Sequence, residues 1–128
     1  DVWLNVNSDL IELMLDKLVN NAVEHALEGS VIELALKKSN DSVTLKVSNV
    51  GEPLPSNVES MFELSSSTKK SHTNDHYGIG LYLVKLIAEA HGAEIIAQNL
   101  MSPDGACFNV IFNKKIRPHK LVDSLVEN

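Results

Sequence analysis

Residues 13–26, LMLDKLVNNAVEHA, decide how the rest of this chain is interpreted. Apolar side chains recur in and just before this stretch at helical spacing, namely at Leu10, Met14, Leu18, Ala22 and Ala26. The opposite side of the predicted helix carries a ridge of polar residues: Lys17, Asn21, Glu24, His25 and Glu28. Such a ridge is typical of a solvated helix face, and it could also form one wall of a binding site. The choice between these interpretations depends on the remaining sequence.

The composition is that of one globular domain with an acidic balance. The chain has 128 residues, enough to bury a core, and its formal net charge of −6 argues against nucleic acid as the main partner. The single Cys107 lies in the apolar run ACFNVIF, so we expect a buried strand residue rather than a nucleophile. No apolar run approaches the about 20 residues of a membrane span. The first residues do not resemble a signal peptide, and the start at Asp1 suggests a piece of a longer protein.

Hydrophobic periodicity predicts an alternating series of elements in the first half of the chain. A short strand over 2–6 precedes a helix over 9–28, which Asn7 or Ser8 caps and Gly29 ends. Apolar residues alternate in the next two segments, 31–37 and 43–49, and the turn residues between them predict an antiparallel hairpin.

The second half begins with a break and ends in another predicted hairpin. A Gly/Pro-rich segment precedes a short helix over 57–64, for which Ser56 is the expected cap. A polar loop over 65–77 leads to Gly78-Ile79-Gly80, a helix over 81–91 and strands over 93–98 and 106–112. We therefore expect a two-layer α/β sandwich: one mixed, mostly antiparallel sheet covered on one face by helices. Residues 1–114 would form the domain, and residues 115–128 a C-terminal tail.

Local motifs alone leave the chemistry open. Glycines before a helix start can admit a phosphate to backbone amides, but Gly78-Ile79-Gly80 is equally explained as a hinge. His72, Asp75 and His76 could hold a metal only if their loop were helical, which its composition disfavours.

Four segments in order carry a more specific signal than any one of them: LDKLVNNAVEH, SNVGEPLP, MFEL and YGIGLYLVKLIAEAHGAEI. In sequence and spacing they resemble the N box, first glycine box, F box and second glycine box of sensor histidine kinases. The resemblance is to the ATP-binding catalytic domain of those kinases, which shares the Bergerat-type fold of gyrase, the Hsp90 chaperones and MutL. It covers residues 6–112.

The resemblance implies roles for individual residues. Asn21 would be the catalytic ligand of Mg²⁺ on the ATP phosphates, and His25 would lie against the adenine. Asn49 would face the exocyclic amine of adenine, and Gly51 would let the purine pack against the backbone. The triphosphate would be held at the start of the second long helix, by Gly78, Gly80 and Leu81. The loop over 65–77 would be the ATP lid, with Lys69 and Lys70 as phosphate partners or as ordinary solubilising charge.

Four positions depart from the family pattern. Asn49 stands in place of the usual aspartate, although its side-chain carbonyl can still accept a hydrogen bond. Ala106 stands where a hydroxyl residue commonly supports the same contact, and Glu24 replaces a lysine that neutralises phosphate. Lys17 lies one turn before Asn21, where it could restore the charge that Glu24 removes. ATP-hydrolysing relatives carry an acid at that place, and a protonated lysine cannot serve as their base, so we expect phosphoryl transfer rather than hydrolysis.

The resemblance also implies partners that lie outside this sequence. No histidine here matches the phospho-accepting motif, so the acceptor would lie on a separate dimerisation domain, with a response regulator downstream. The fragment would be a monomeric cytoplasmic domain, and its parent a homodimer of a class with many membrane-anchored members. Two alternatives remain at this stage. One is a stand-alone serine kinase of the anti-sigma-factor type, and the other is a degenerate, non-catalytic nucleotide-binding or docking module.

Overall fold

A computed structural model describes residues 6–64 and 75–113 of the chain, with only the backbone of residues 75–78. The two long helices are α1 (Ser8–His25) and α2 (Asp75–Ala90), and a 3₁₀ helix (Val58–Phe62) lies between them in sequence. The four strands are β1 (Ile32–Lys38), β2 (Ser42–Val50), β3 (Glu94–Leu100) and β4 (Gly105–Asn113).

The four described strands form one sheet in the order β1-β2-β4-β3. All three pairings within it are antiparallel. Both predicted hairpins are therefore present, and β2 and β4 join them at the centre of the sheet. The expected α/β sandwich with a mostly antiparallel sheet is confirmed.

The core lies between the helices and one face of the sheet. Register places Leu34 and Phe108 on either side of Val47, so alternate residues of neighbouring strands point to the same face. The largest fully buried side chains come from both layers: Met14, Leu18, Leu81, Val84, Val47 and Val110. Complete burial of such a side chain stabilises the fold by about 1.5–3 kcal/mol. The 3₁₀ helix closes the layer, where the ring of Phe62 meets Phe108 edge-on at a centroid distance of 6.0 Å.

Helix α1 ends at His25, three residues before the predicted end at residue 28. Its N-terminus agrees with prediction, since the side chain of Asn7 accepts a hydrogen bond from the Leu10 amide. At the other end Ala26 turns to extended backbone and forms an isolated bridge with Gly51. Tertiary pairing to the end of β2 thus replaces the last helical turn, and Gly29, with φ of 82°, lies beyond the helix.

Helix α2 begins at Asp75, whereas the sequence predicted a start at Leu81. Gly78 and Gly80 are therefore its fourth and sixth residues and do not form a glycine turn before it. Glycine costs about 1 kcal/mol relative to alanine inside a helix, which is too little to prevent a helix that packs along one side. The predicted helix start was wrong for that reason.

The remaining predicted elements differ from the structure in smaller ways. The segment predicted as a helix over 57–64 is the shorter 3₁₀ helix, and Asn57 rather than Ser56 precedes it. Val6 lies before α1 without strand structure. The rest of the predicted first strand, residues 65–74 of the predicted lid and residues 114–128 lie outside the described residues.

Candidate functional site

Four of the predicted site residues come together at the C-terminal end of α1. A Cβ atom on Gly51 would collide with the carbonyl oxygen of His25, so the last helical residue packs directly on the β2 end. The same Cβ position lies 3.1 Å from Nδ2 of Asn49. Asn21 lies one turn before His25 on α1. The structure therefore brings Asn21, His25, Asn49 and Gly51 to one place from two separate elements.

Asn21 and Asn49 are buried amides whose nitrogens have no hydrogen-bond partner among residues 6–64 and 79–113. Their residues are 6% and 3% exposed, and the Nδ2 atom of each is shielded from solvent within the described part of the chain. A buried polar group without a partner costs about 1–3 kcal/mol, so proteins seldom keep two of them close together for stability alone. The pair indicates a site whose ligand supplies the missing partners.

Gly51 and Gly105 allow three stretches of backbone to approach closely. The Gly51 amide donates to the Asp104 carbonyl at 2.9 Å, and the Leu27 amide donates to the Val50 carbonyl at 2.9 Å. A side chain at Gly105 would collide with the Asn49 carbonyl. The end of α1, the end of β2 and the start of β4 are thus tied together. This arrangement fixes the backbone around the Asn49 amide.

Two residues that the sequence did not single out support this end of the site. Oδ1 of Asn99, on β3, accepts a hydrogen bond from the Leu54 amide at 2.7 Å and so holds the segment after Gly51. The Glu52 carboxylate lies 3.5 Å from Nδ1 of His25 and orients that ring. Glu52 lies within the segment SNVGEPLP, but no role had been predicted for its side chain. The Asn99 contact joins residues 45 apart, so no local signal could have revealed it.

Lys17 and Gly80 define the other end of the site. The Lys17 side chain passes Gly80, with its Cδ 3.9 Å from where a Cβ on Gly80 would lie. Near the opposite ends of the helices, the Asn7 amide donates to Nε2 of His91 at 3.0 Å. These two contacts show that α1 and α2 run antiparallel. One turn beyond Lys17, Asn21 therefore lies beside the first turns of α2.

The start of α2 provides positive potential beside Asn21. The first backbone N–H groups of an α-helix have no partner within it, and in α2 these lie at the end that begins with Asp75. The helix dipole places partial positive charge at the same end, and the ammonium group of Lys17 adds a full charge nearby. This end of the site is suited to an anion, whereas the Asn49 end is suited to a neutral, hydrogen-bonding group.

Other predicted site residues are not brought in by the described structure. Lys69, Lys70 and His72 lie outside the described residues, and the side chains of Asp75 and His76 are not described. Leu81 is 1% exposed and packs in the core behind the site. Its predicted contact with the nucleotide would have to come from the backbone.

The rest of the described structure offers no competing chemistry. As predicted, Cys107 is a buried strand residue, and burial raises the pKa of its thiol, which keeps it in the unreactive protonated form. Among the described residues no group of three His, Cys, Asp or Glu side chains could hold a metal ion. No helix in this part of the chain is long and apolar enough to cross a bilayer. A groove of about 710 Å³ beside β3, between Phe62 and Ala93, is lined by none of the site residues.

Comparisons with known proteins agree with this geometry. Residues 6–116 match the family described as "Histidine kinase-, DNA gyrase B-, and HSP90-like ATPase". Sensor protein DltS of Streptococcus agalactiae is 31% identical over 99 residues, which cover 76% of this chain and 25% of the relative. The adaptive-response sensory kinase SasA of a Synechococcus species is 32% identical over 94 residues, covering 72% and 25%.

Similar solved structures also include catalytic domains of histidine kinases. The nucleotide-free catalytic domain of histidine kinase ThkA superposes with a TM-score of 0.73 at 26% identity, covering 87% of this chain and 71% of that one. The present chain spans about a quarter of the length of the two sensor proteins named above.

Proposed function

Because this chain belongs to the family of histidine kinase-, DNA gyrase B- and HSP90-like ATPases, as a catalytic domain of the sensor histidine kinase type, we propose that it binds Mg-ATP at this site. The γ-phosphoryl group then passes to a histidine on another domain of a longer protein. The observation that carries the proposal is that two buried amide nitrogens, Nδ2 of Asn21 and Nδ2 of Asn49, have no hydrogen-bond partner among the described residues. They lie on two elements that the close approach at Gly51 brings together.

The phosphates lie at the α2 end of the site in this proposal. The side-chain oxygen of Asn21 fits a hard cation such as Mg²⁺, which prefers oxygen ligands and is held by few protein groups. When bound, Mg²⁺ would neutralise charge on the phosphates. The first amides of α2 and the Lys17 ammonium attract the same phosphates. Gly80 leaves the surface beside Lys17 without a side chain, so a triphosphate has room to lie along the helix start.

The base lies at the other end, against Gly51. A glycine is required there by the His25 carbonyl, and the resulting flat backbone suits a planar ring. The side-chain amide of Asn49 faces the edge of the base. The His25 ring, which contacts Glu52, lies beside the base. Asn99 keeps the segment after Gly51 in place through the Leu54 amide.

Transfer rather than hydrolysis is supported by Lys17. Hydrolysis needs a base that activates water near the γ-phosphate, and a lysine ammonium can only donate. Phosphoryl transfer to another nucleophile asks mainly for positioning and charge neutralisation, which Asn21, Lys17 and the α2 amides can supply. The site therefore retains what transfer requires and lacks, at this position, what hydrolysis requires.

The longer protein would supply the acceptor. Relatives named as a sensor protein and a sensory kinase, in which the matched segment is 25% of the length, favour a sensor kinase over a stand-alone serine kinase. In this proposal the accepting histidine lies on a dimerisation domain of the same protein and passes the phosphoryl group to a response regulator. The parent would then be a homodimer with this domain in the cytoplasm, and the isolated domain a monomer.

Labelling with γ-labelled ATP tests the proposal. The isolated domain should acquire no stable label, whereas the parent protein with its dimerisation domain should acquire an acid-labile phosphohistidine. Asn21→Ala should abolish labelling of the parent. Asn20→Ala, which removes the exposed neighbouring amide bonded to Asp16, should not. Stable labelling of the isolated domain, or of a serine, would contradict the proposal.

A further inference from the structure

Neither residue directly opposite Asn49 in the sheet can fix the orientation of its side-chain amide. Its cross-strand neighbours are Ile32 on β1 and Ala106 on β4, and neither side chain can form a hydrogen bond. Its Nδ2 atom is buried without a partner in the described part of the chain. The terminal torsion of an asparagine has a broad, roughly two-fold profile, so both orientations of the amide are available. The bound ligand therefore determines whether the oxygen or the nitrogen of the Asn49 amide faces it.

An amide and a carboxylate read purine bases differently. Adenine presents an N6 amino donor beside the N1 acceptor, and guanine presents an O6 acceptor beside an N1–H donor. At the position that faces the C6 substituent of the purine, an ionised carboxylate only accepts hydrogen bonds, so it suits the adenine amine there and repels the guanine oxygen. An amide carries a donor and an acceptor side by side, and turning it over exchanges them. One orientation therefore complements adenine and the other complements guanine.

We propose that Asn49 makes this domain tolerant of the purine, so that it binds both adenine and guanine nucleoside triphosphates. The inference rests on the proposed function, in which Asn49 faces the base. Ala106 contributes to the same tolerance, because a hydroxyl group at that position would form a hydrogen bond with the Asn49 amide and hold it in one orientation. Gly51 does not distinguish the two bases, since both purines present the same planar ring system to its backbone.

Calorimetric titration with Mg-ATP and Mg-GTP tests this proposal. For the unmodified domain the two dissociation constants should agree within about tenfold. Asn49→Asp places an acceptor-only group at the same position, and the preference for ATP should then exceed about a hundredfold, mainly through loss of GTP binding. Asn109→Asp is the matched control, since its amide lies on β4 and bonds to Gln98 and Cys107, away from the site. It should leave the ratio unchanged.

A second variant keeps the proposal testable if the Asn49→Asp protein fails to fold with its buried carboxylate. Asn49→Ala removes both donor and acceptor, so it should weaken ATP and GTP by similar factors and leave their ratio near that of the unmodified domain. Tight ATP binding with GTP weaker by more than about a hundredfold in the unmodified domain would overturn the inference and leave the proposed function standing. Absence of binding by either nucleotide would instead overturn the proposed function.

Discussion

The two buried asparagines of the site differ in what surrounds them. Asn21 lies on a helix beside Lys17 and the start of α2, where charge and free backbone amides meet. Asn49 lies within a sheet between Ile32 and Ala106, where its neighbours are apolar. In the proposed function, long-range attraction therefore governs binding at the Asn21 end, and directional hydrogen bonds govern it at the Asn49 end. The residues that depart from the family pattern alter both: Lys17 and Glu24 change charge, and Asn49 and Ala106 change hydrogen bonding.

The largest effect on stability should come from Gly51, which lies between the Asn21 and Asn49 ends of the site. Gly51→Ala brings a methyl group against the His25 carbonyl, so the free energy of unfolding should fall by about 1–3 kcal/mol. Gly80→Ala is the matched control, because among the described residues only the flexible Lys17 side chain lies near the new methyl group. It should stabilise the helix by about 1 kcal/mol. Equal losses of stability in chemical denaturation would show that the close approach at Gly51 has no special role.

A smaller effect should come from the charge at the Asn21 end of the site, and it should appear in the affinity for Mg-ATP. Lys17→Ala removes the side-chain charge beside Gly80, and the affinity for Mg-ATP should fall about tenfold, with a weaker dependence on salt. Lys85→Ala removes the same charge from α2 beside the distant groove and should leave the affinity nearly unchanged. Titrations at two salt concentrations provide the measurement. Unchanged affinity in Lys17→Ala would mean that Lys17 does not compensate for Glu24.

The smallest effect concerns the ligand-free protein. Asn21→Ala removes an amide whose nitrogen has no hydrogen-bond partner in the described part of the chain, so the free energy of unfolding should change by less than about 1 kcal/mol. Asn99→Ala leaves the Leu54 amide without its acceptor and should cost about 1–2 kcal/mol. Denaturation without nucleotide compares them. A larger loss for Asn21→Ala than for Asn99→Ala would assign the Asn21 amide to the fold rather than to a ligand.

Much of the fold could be predicted because the sequence alternates clearly between helix and strand periods. The residues of β2 show apolar alternation, those of β4 form a short apolar run, and the cap at Asn7 is local chemistry. Both helix boundaries that were predicted wrongly depend on contacts with distant parts of the chain. The bridge between Ala26 and Gly51 ends α1 early, and packing along α1 tolerates the glycines within α2.

The site was predictable where motifs name its residues and not where the fold alone brings residues together. Asn21 and Asn49 stand in segments that resemble family boxes, and the structure adds that the amide nitrogen of each has no partner among the described residues. The supporting contacts of Asn99 and Glu52 arise only when β3 and the end of α1 meet the segment after Gly51. No sequence spacing predicts these two contacts, because each depends on how separate elements pack in the fold.

Titration of ATP with and without Mg²⁺ tests the central claim most directly, namely that the Asn21 amide faces the metal-bound phosphates. The unmodified domain should bind ATP at least about tenfold more tightly with Mg²⁺ than without it. Asn21→Ala should lose this gain, and Asn20→Ala, which removes the exposed amide on the same helix, should keep it. Mg-ATP binding that is equally tight in Asn21→Ala and in the unmodified domain would contradict the account.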